Sequence, residues 1–242
     1  MAMAAEHHGS NAPVNSSASR IARVDVMRDM AAAEKTWRVF EGTGFLSTPY
    51  QRFELLDAWQ QTIGKHEGAQ PFVVVAYDAS SQPLLVLPLV TSRENGANVA
   101  RFMGGKHPTF NMGLWQREFA ETATAADLDA LIAGIRTQAD RVDVLAFAQQ
   151  PKQWRGIPNP LISLGAQPST NACPMMTMIP GCKPEERVST STRRRLRNKE
   201  RKLQALPGYR YLVATTDDDI NRLLDSFFII KPQRMALSKL PD

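Results

Sequence analysis

Only two cysteines occur among the 242 residues, Cys173 and Cys182 in the stretch CPMMTMIPGC. No second pair and no CxxC spacing accompanies them, which excludes a disulfide framework and a cysteine zinc site. They are expected as small hydrophobes in or near a strand. Long apolar runs are missing too, none approaching the roughly 20 residues that span a bilayer. The opening MAMAAEHHGSNAPVNSSASR lacks the continuous apolar region of a secretory signal. The expectation is a cytoplasmic protein with residues 1–19 as a disordered polar leader. A G-x-S-x-G elbow, a Walker pattern and a metal-ligand cluster are also absent, so nucleophile-elbow hydrolysis, P-loop chemistry and a resident metal are not indicated.

What is present is an ordinary globular composition, 43% hydrophobic and 22% charged. The net charge of +5 has a location. Residues 193–202 hold seven basic side chains against Glu200 alone, a net +6, so the rest of the chain is close to neutral. One basic segment on a balanced surface points to an anionic partner at one place rather than general coating of nucleic acid or membrane.

Residues 20–27 alternate apolar and polar as a half-buried strand does. A helix is expected from DMAAAEKTWRVFEG, stopped near Gly42 and Gly44. Another follows in TPYQRFELLDAWQQTIG, with Thr48 as N-cap and Pro49 at its first position. PFVVVAYD (71–78), PLLVLPLVT (83–91) and VARFMG (99–104) read as an antiparallel meander, its turns at ASSQP and RENGAN. Then come a glycine-rich loop, a helix in AETATAADLDALIAGIRTQAD and a buried strand in RVDVLAFA. Residues 20–150 thus form a mixed-sheet α/β domain. Residues 151–171, rich in proline and turn formers, are the expected connection.

Residues 172–242 begin a second domain. Its expected elements are a strand at CPMMTMIP, a basic helix in STSTRRRLRNKERKL, a strand at YRYLVATT and a helix from Asp217. The acidic run Asp217–Asp219 suits a helix N-terminus. These elements cannot bury both faces of a sheet alone, so the unit must dock on the first domain, pair in a homodimer, or be incomplete.

The order of elements, together with TPYQRFELLDAW, LLVLPLV, ARFMGGKHPTFNMGL, VDVLAFAQQPKQWRGIPNPL and STSTRRRLRNKERKLQALPGYRYLVA, resembles the cellulose-biosynthesis acetyltransferases (CelD/BcsL-like) of the GNAT superfamily. These resemble in turn the FemAB-type enzymes, which pair two GNAT-like halves. The resemblance covers roughly residues 20–236. It implies one complete GNAT-like acyl-CoA N-acyltransferase fold plus the start of a second, acyl-CoA as co-substrate without a metal, and transfer to an amine or hydroxyl linked to polysaccharide production. Family members continue past the helix at 217–235, so a C-terminally truncated second domain is expected.

Within that resemblance, RFMGGK matches the CoA-pyrophosphate pattern R/Q-x-x-G-x-G/A through Arg101 and Gly104, with Lys106 where glycine or alanine belongs. A tight turn is the competing reading. Lys106, His107 and Asn111 are candidates to line a cleft and meet a polar substrate. The basic helix also has two readings. As a solvated face, it turns Leu196, Leu203 and Leu206 inward and Arg194, Arg197 and Arg201 to water. As an anion site, Arg193, Arg194 and Arg197 meet a nucleotide-linked sugar, a phosphorylated glycan precursor or a CoA phosphate, because arginines at a helix start are costly unless paired. Nucleic acid is disfavoured, since no aromatic residue interrupts RRRLRNKERK.

Overall fold

The structure is a computed structural model that describes residues 18–139, 141–170, 173 and 175–238. The chain divides into two compact units, residues 1–173 and 174–242. The first is built on a mixed sheet. Strands β1 (Arg23–Met27), β3 (Gln70–Tyr77), β4 (Pro83–Glu94), β5 (Ala97–Phe102) and β7 (Val144–Ala146) lie in the order β1-β3-β4-β5-β7. All neighbours are antiparallel except β5 and β7. Strands β2 (Phe45–Leu46) and β6 (Leu114–Gln116) extend the sheet, β6 pairing with both β2 and β4.

Alternation along the strands sends side chains into two cores. Phe72, Val74, Leu85, Leu87, Leu89 and Ala100 face one side, where α4 (Ala125–Arg136) contributes Leu128, Leu131 and Ile135. Val73, Val75, Val86 and Val90 face the other, under α1 (Met30–Val39) and α2 (Phe53–Trp59). Both faces are therefore covered, which explains the near-continuous apolar runs in β3 and β4. The mixed α/β architecture expected from the sequence is this sheet with helices on both sides.

Local chemistry accounts for the boundaries. Asp29 caps α1 by accepting from the N–H of Ala31. Asn95 and Gly96, at φ 48° and 87°, form the two-residue turn between β4 and β5. Thr48 caps as expected but starts only a 3-10 turn, Pro49–Gln51, before α2, and α2 then runs into a π-helical turn, Gln60–Gly64. The single helix expected over 120–140 is two: α3 (Arg117–Thr122) and α4, which restarts at a reciprocal capping box between Thr124 and Asp127. The strand expected buried at 141–148 shrinks to the three residues of β7, half-exposed because it pairs with β5 alone.

The expected connection is partly structured. Strands β8 (Gln153–Trp154) and β9 (Ile157–Pro158) form a hairpin whose turn residues, Arg155 and Gly156, sit at φ 51° and 79°. Ile157 and Leu161 then enter the first core.

The second unit holds α5 (Thr190–Gln204) and α6 (Asp217–Ser238), preceded by a 3-10 turn, Pro184–Arg187. The strands expected at 173–180 and 209–216 are not formed among the described residues. A strand needs a partner ladder, and among the described residues these segments have none; Tyr211 is 82% exposed. No helix among the described residues is long and apolar enough to cross a membrane.

Candidate functional site

The basic helix forms where the hydroxyl cluster predicted it. The Ser189 side chain accepts from the N–H of Thr192 at 3.3 Å and so caps α5. With 3.6 residues per turn, Thr190, Arg194, Arg195, Asn198, Lys199 and Lys202 fall on one stripe, and they line a groove of about 680 Å³. Four cations thus lie along one open, exposed face of the helix about 18 Å long, judged from the 1.5 Å rise per residue.

Of the three arginines singled out in the sequence, Arg194 lines this groove. Arg193 is half-buried and donates to the Thr190 hydroxyl at 3.2 Å, while its buried Nε finds no acceptor among the described residues. Arg197 is exposed and lies outside the lining. Periodicity applied to the arginines and lysines together, rather than to the first-turn arginines, would have found Arg195, Lys199 and Lys202. The expected inward packing of the leucines is not seen. Leu196, Leu203 and Leu206 are each about half exposed, because α5 buries no side chain.

The titratable groups with shifted pKa in this unit lie outside the groove. Asp219 receives the Arg222 guanidinium at 2.8 Å, and this contact holds its carboxyl below the ordinary range. The Cys182 thiol donates to Glu186 at 3.2 Å, which pushes its pKa up and away from the nucleophilic thiolate.

The glycine-rich loop of the first unit has an unusual origin. Leu89 pairs with Phe102, yet Val86 pairs with Leu114, so residues 103–113 loop out of what is otherwise one edge alongside β4. Gly104 opens the excursion at φ 90°, and its carbonyl accepts from the N–H of His107 at 2.9 Å. A Cβ on Gly104 would lie 2.4 Å from Pro108 Cγ, so glycine is required there by both backbone and space. Arg101 is engaged by Glu94, with Nε donating at 2.8 Å, which raises the guanidinium pKa and lowers that of the carboxyl. No helix follows until Arg117, so this turn does not present a helix N-terminus to a pyrophosphate.

Lys106 and His107 are exposed at the tip of the excursion. Asn111 is at its base and buried. Its Nδ2 donates to the Gln149 side chain at 2.8 Å and its backbone N–H to the Gln149 carbonyl at 3.1 Å. Phe110 is held edge-on between Tyr50 and Trp154, at centroid distances of 5.8 and 5.6 Å. Arg101 and Gly104 therefore share one short segment with Lys106 and His107, while Asn111 is used in anchoring it.

Among the described residues no group of three or more histidine, cysteine, aspartate or glutamate side chains is placed to hold a metal ion. A family model described as an acetyltransferase (GNAT) domain matches residues 190–242, the segment that contains α5 and α6. No curated protein and no solved structure matches the chain.

Proposed function

We propose that the protein takes part in GNAT-type acyl transfer, with acyl-CoA as donor and an amine or hydroxyl as acceptor. One observation carries the reading: the match to an acetyltransferase domain and the four-cation groove fall on the same helix. Acyl-CoA is rich in phosphate, and Arg194, Arg195, Lys199 and Lys202 supply the charge to hold a phosphorylated group while Thr190 and Asn198 offer hydrogen bonds. Transfer from a thioester requires orientation of the two reactants and removal of a proton from the acceptor. In this reading the groove anchors the phosphorylated donor. A nucleotide-linked sugar or phosphorylated glycan precursor in polysaccharide production is the acceptor we favour, on the strength of the sequence motifs that resemble the cellulose-biosynthesis acetyltransferases.

A second reading has its own support. Among the described residues no carboxylate and no imidazole lines the groove, and a half that binds its anion without carrying out transfer also fits. Calorimetric titration of acetyl-CoA into the full chain, paired with a thiol-release assay on amine and sugar acceptors, separates the two. Saturable binding lost in Arg194→Ala/Lys199→Ala, with thiol release, supports acyl transfer; binding without release supports the second reading. Absence of binding by folded protein would overturn both.

A further inference from the structure

The cations of α5 differ from those of the first unit in having no counter-charge. Arg20, Arg38 and Arg101 are each paired with a carboxylate. Among the described residues none of the seven basic side chains of α5 has an ion-pair partner. Arg193 and Arg201 donate to neutral neighbours, Thr190 at 3.2 Å and Asn198 at 2.8 Å. The net +6 of residues 193–202 is therefore displayed without compensation, on a helix that buries no side chain. An open face of this kind suits an extended anionic surface.

An exposed apolar run follows the helix directly. The N–H of Tyr209 donates to the Leu206 carbonyl at 3.1 Å across Pro207 and Gly208, whose φ of 74° turns the chain. Leu203, Leu206, Tyr211, Leu212 and Val213 are each about half exposed or more, and exposed Arg210 interrupts them. Leu196, also half exposed, lies two turns before Leu203 on the same face of α5. This pairing of apolar side chains with uncompensated cations discriminates among anionic partners. A nucleic-acid duplex neutralises the charge but offers nothing to the leucines, and residues 193–202 hold no aromatic side chain to stack on a base. A second copy aligned on α5 would set +6 against +6. The headgroup region of a bilayer accepts both features. Its phosphates attract the cations, while leucine and tyrosine enter the boundary with the acyl chains and the long basic stems lie along them.

We propose that α5 and the run that follows it to Val213 form a docking surface for a membrane containing anionic lipid, on which this segment lies without crossing it. The docking goes beyond the acyl-transfer reading and stands without it. The test is co-sedimentation of the full chain with vesicles of phosphatidylcholine alone and with about 30% phosphatidylserine, the acetyl-CoA isotherm being recorded on the same proteins. The expected result is retention on the phosphatidylserine vesicles only, falling as sodium chloride is raised. Arg210→Glu/Tyr211→Ser, a pair outside the groove, should weaken retention about ten-fold while the acetyl-CoA isotherm is unmoved. Circular dichroism confirms that the variant is folded. Retention without acetyl-CoA binding removes the acyl-transfer reading and leaves the docking. Failure of the folded chain to sediment with phosphatidylserine vesicles, equal retention on both vesicle types, or undiminished retention of the double variant overturns the proposal. It is equally overturned by tighter binding to duplex DNA than to the anionic vesicles, which assigns α5 to nucleic acid, and by a stable dimer that Tyr211→Ser dissociates, which assigns the apolar run to a second copy.

Discussion

Asp127, in the first turn of α4, accepts the backbone N–H of Arg20 at 2.7 Å and the Arg20 guanidinium at 2.9 Å, so one carboxylate ties the entry to β1 onto the start of α4. The side chain is almost fully buried and also closes the capping box with Thr124. Burial pushes its pKa up, but the bonds from Arg20 and Thr124 outweigh that and hold it at about 2. Replacing Asp127 with alanine is expected to cost about 2 kcal/mol in urea unfolding, from the lost cap and the lost ion pair.

The same carboxylate gives a pH dependence of known sign. Its folded pKa lies below the unfolded value of about 3.9, so the unfolded chain binds more protons in between. The stabilisation is present in full above about pH 4 and is lost as pH falls toward 2. Thermal unfolding from pH 2 to 6 should show this slope, shallower in Asp127→Ala; equal slopes would assign the acid sensitivity elsewhere.

Gly104→Ala separates a turn from a ligand cradle. The positive φ and the 2.4 Å approach to Pro108 predict a loss of about 2 kcal/mol in chemical denaturation. Acetyl-CoA affinity, measured on the folded variant, should be unchanged if the residue only shapes the loop. A parallel loss of affinity would give the turn a role in binding.

Trp37 is fully buried, and its Nε1 donates to the Gln51 carbonyl at 2.8 Å, joining α1 to the turn that precedes α2. Trp37→Phe keeps most of the volume but leaves that carbonyl unpaired. Equilibrium unfolding should register about 1–3 kcal/mol of destabilisation. A neutral result would mean that water or a shifted backbone satisfies the carbonyl.

The α5 groove is exposed, so its attraction for an anion is screened by salt. Acetyl-CoA binding should weaken as sodium chloride rises from 50 to about 300 mM, and the dependence should become shallower in Arg194→Ala/Lys199→Ala. A salt-insensitive isotherm would place the ligand away from this stripe.

The first unit was readable in outline because its signals are local. The meander at β3, β4 and β5 follows from three apolar runs, and Asn95-Gly96 marks one of its turns. The capping box at Thr124 and Asp127 is equally local, but the apolar helical pattern runs on across it and masks the break. Gly134, in the middle of α4, carried a clue as well. A Cβ there would meet Val24 Cγ2 at 2.5 Å, so the glycine marks a close approach of helix to strand.

Long-range clustering was not legible: Arg28, Arg93 and Arg141, far apart in sequence, line one open pocket only because the sheet brings their segments to the same end. In the second unit the apolar runs at 173–180 and 209–216 resembled strands, but periodicity says nothing about whether a partner strand exists. The basic stripe was visible as composition. Which cations share a face required the helix to be counted turn by turn.

The interrupted edge beside β4 leaves the exposed tip of the excursion, Gly105 to His107, open to exchange, while buried Met103, Asn111 and Met112 hold its base. Phe102 and Leu114 are fixed by their own ladder partners, Leu89 and Val86, so the register of the sheet is indifferent to how many residues lie between them. Doubling such a loop adds only about 0.6 kcal/mol of closure entropy. New peptide can be grafted at Lys106 and His107, or the tip rewritten, while the strands on either side keep their places. The same indifference lets sequence drift at this tip change what the domain presents to its surroundings at little cost to folding.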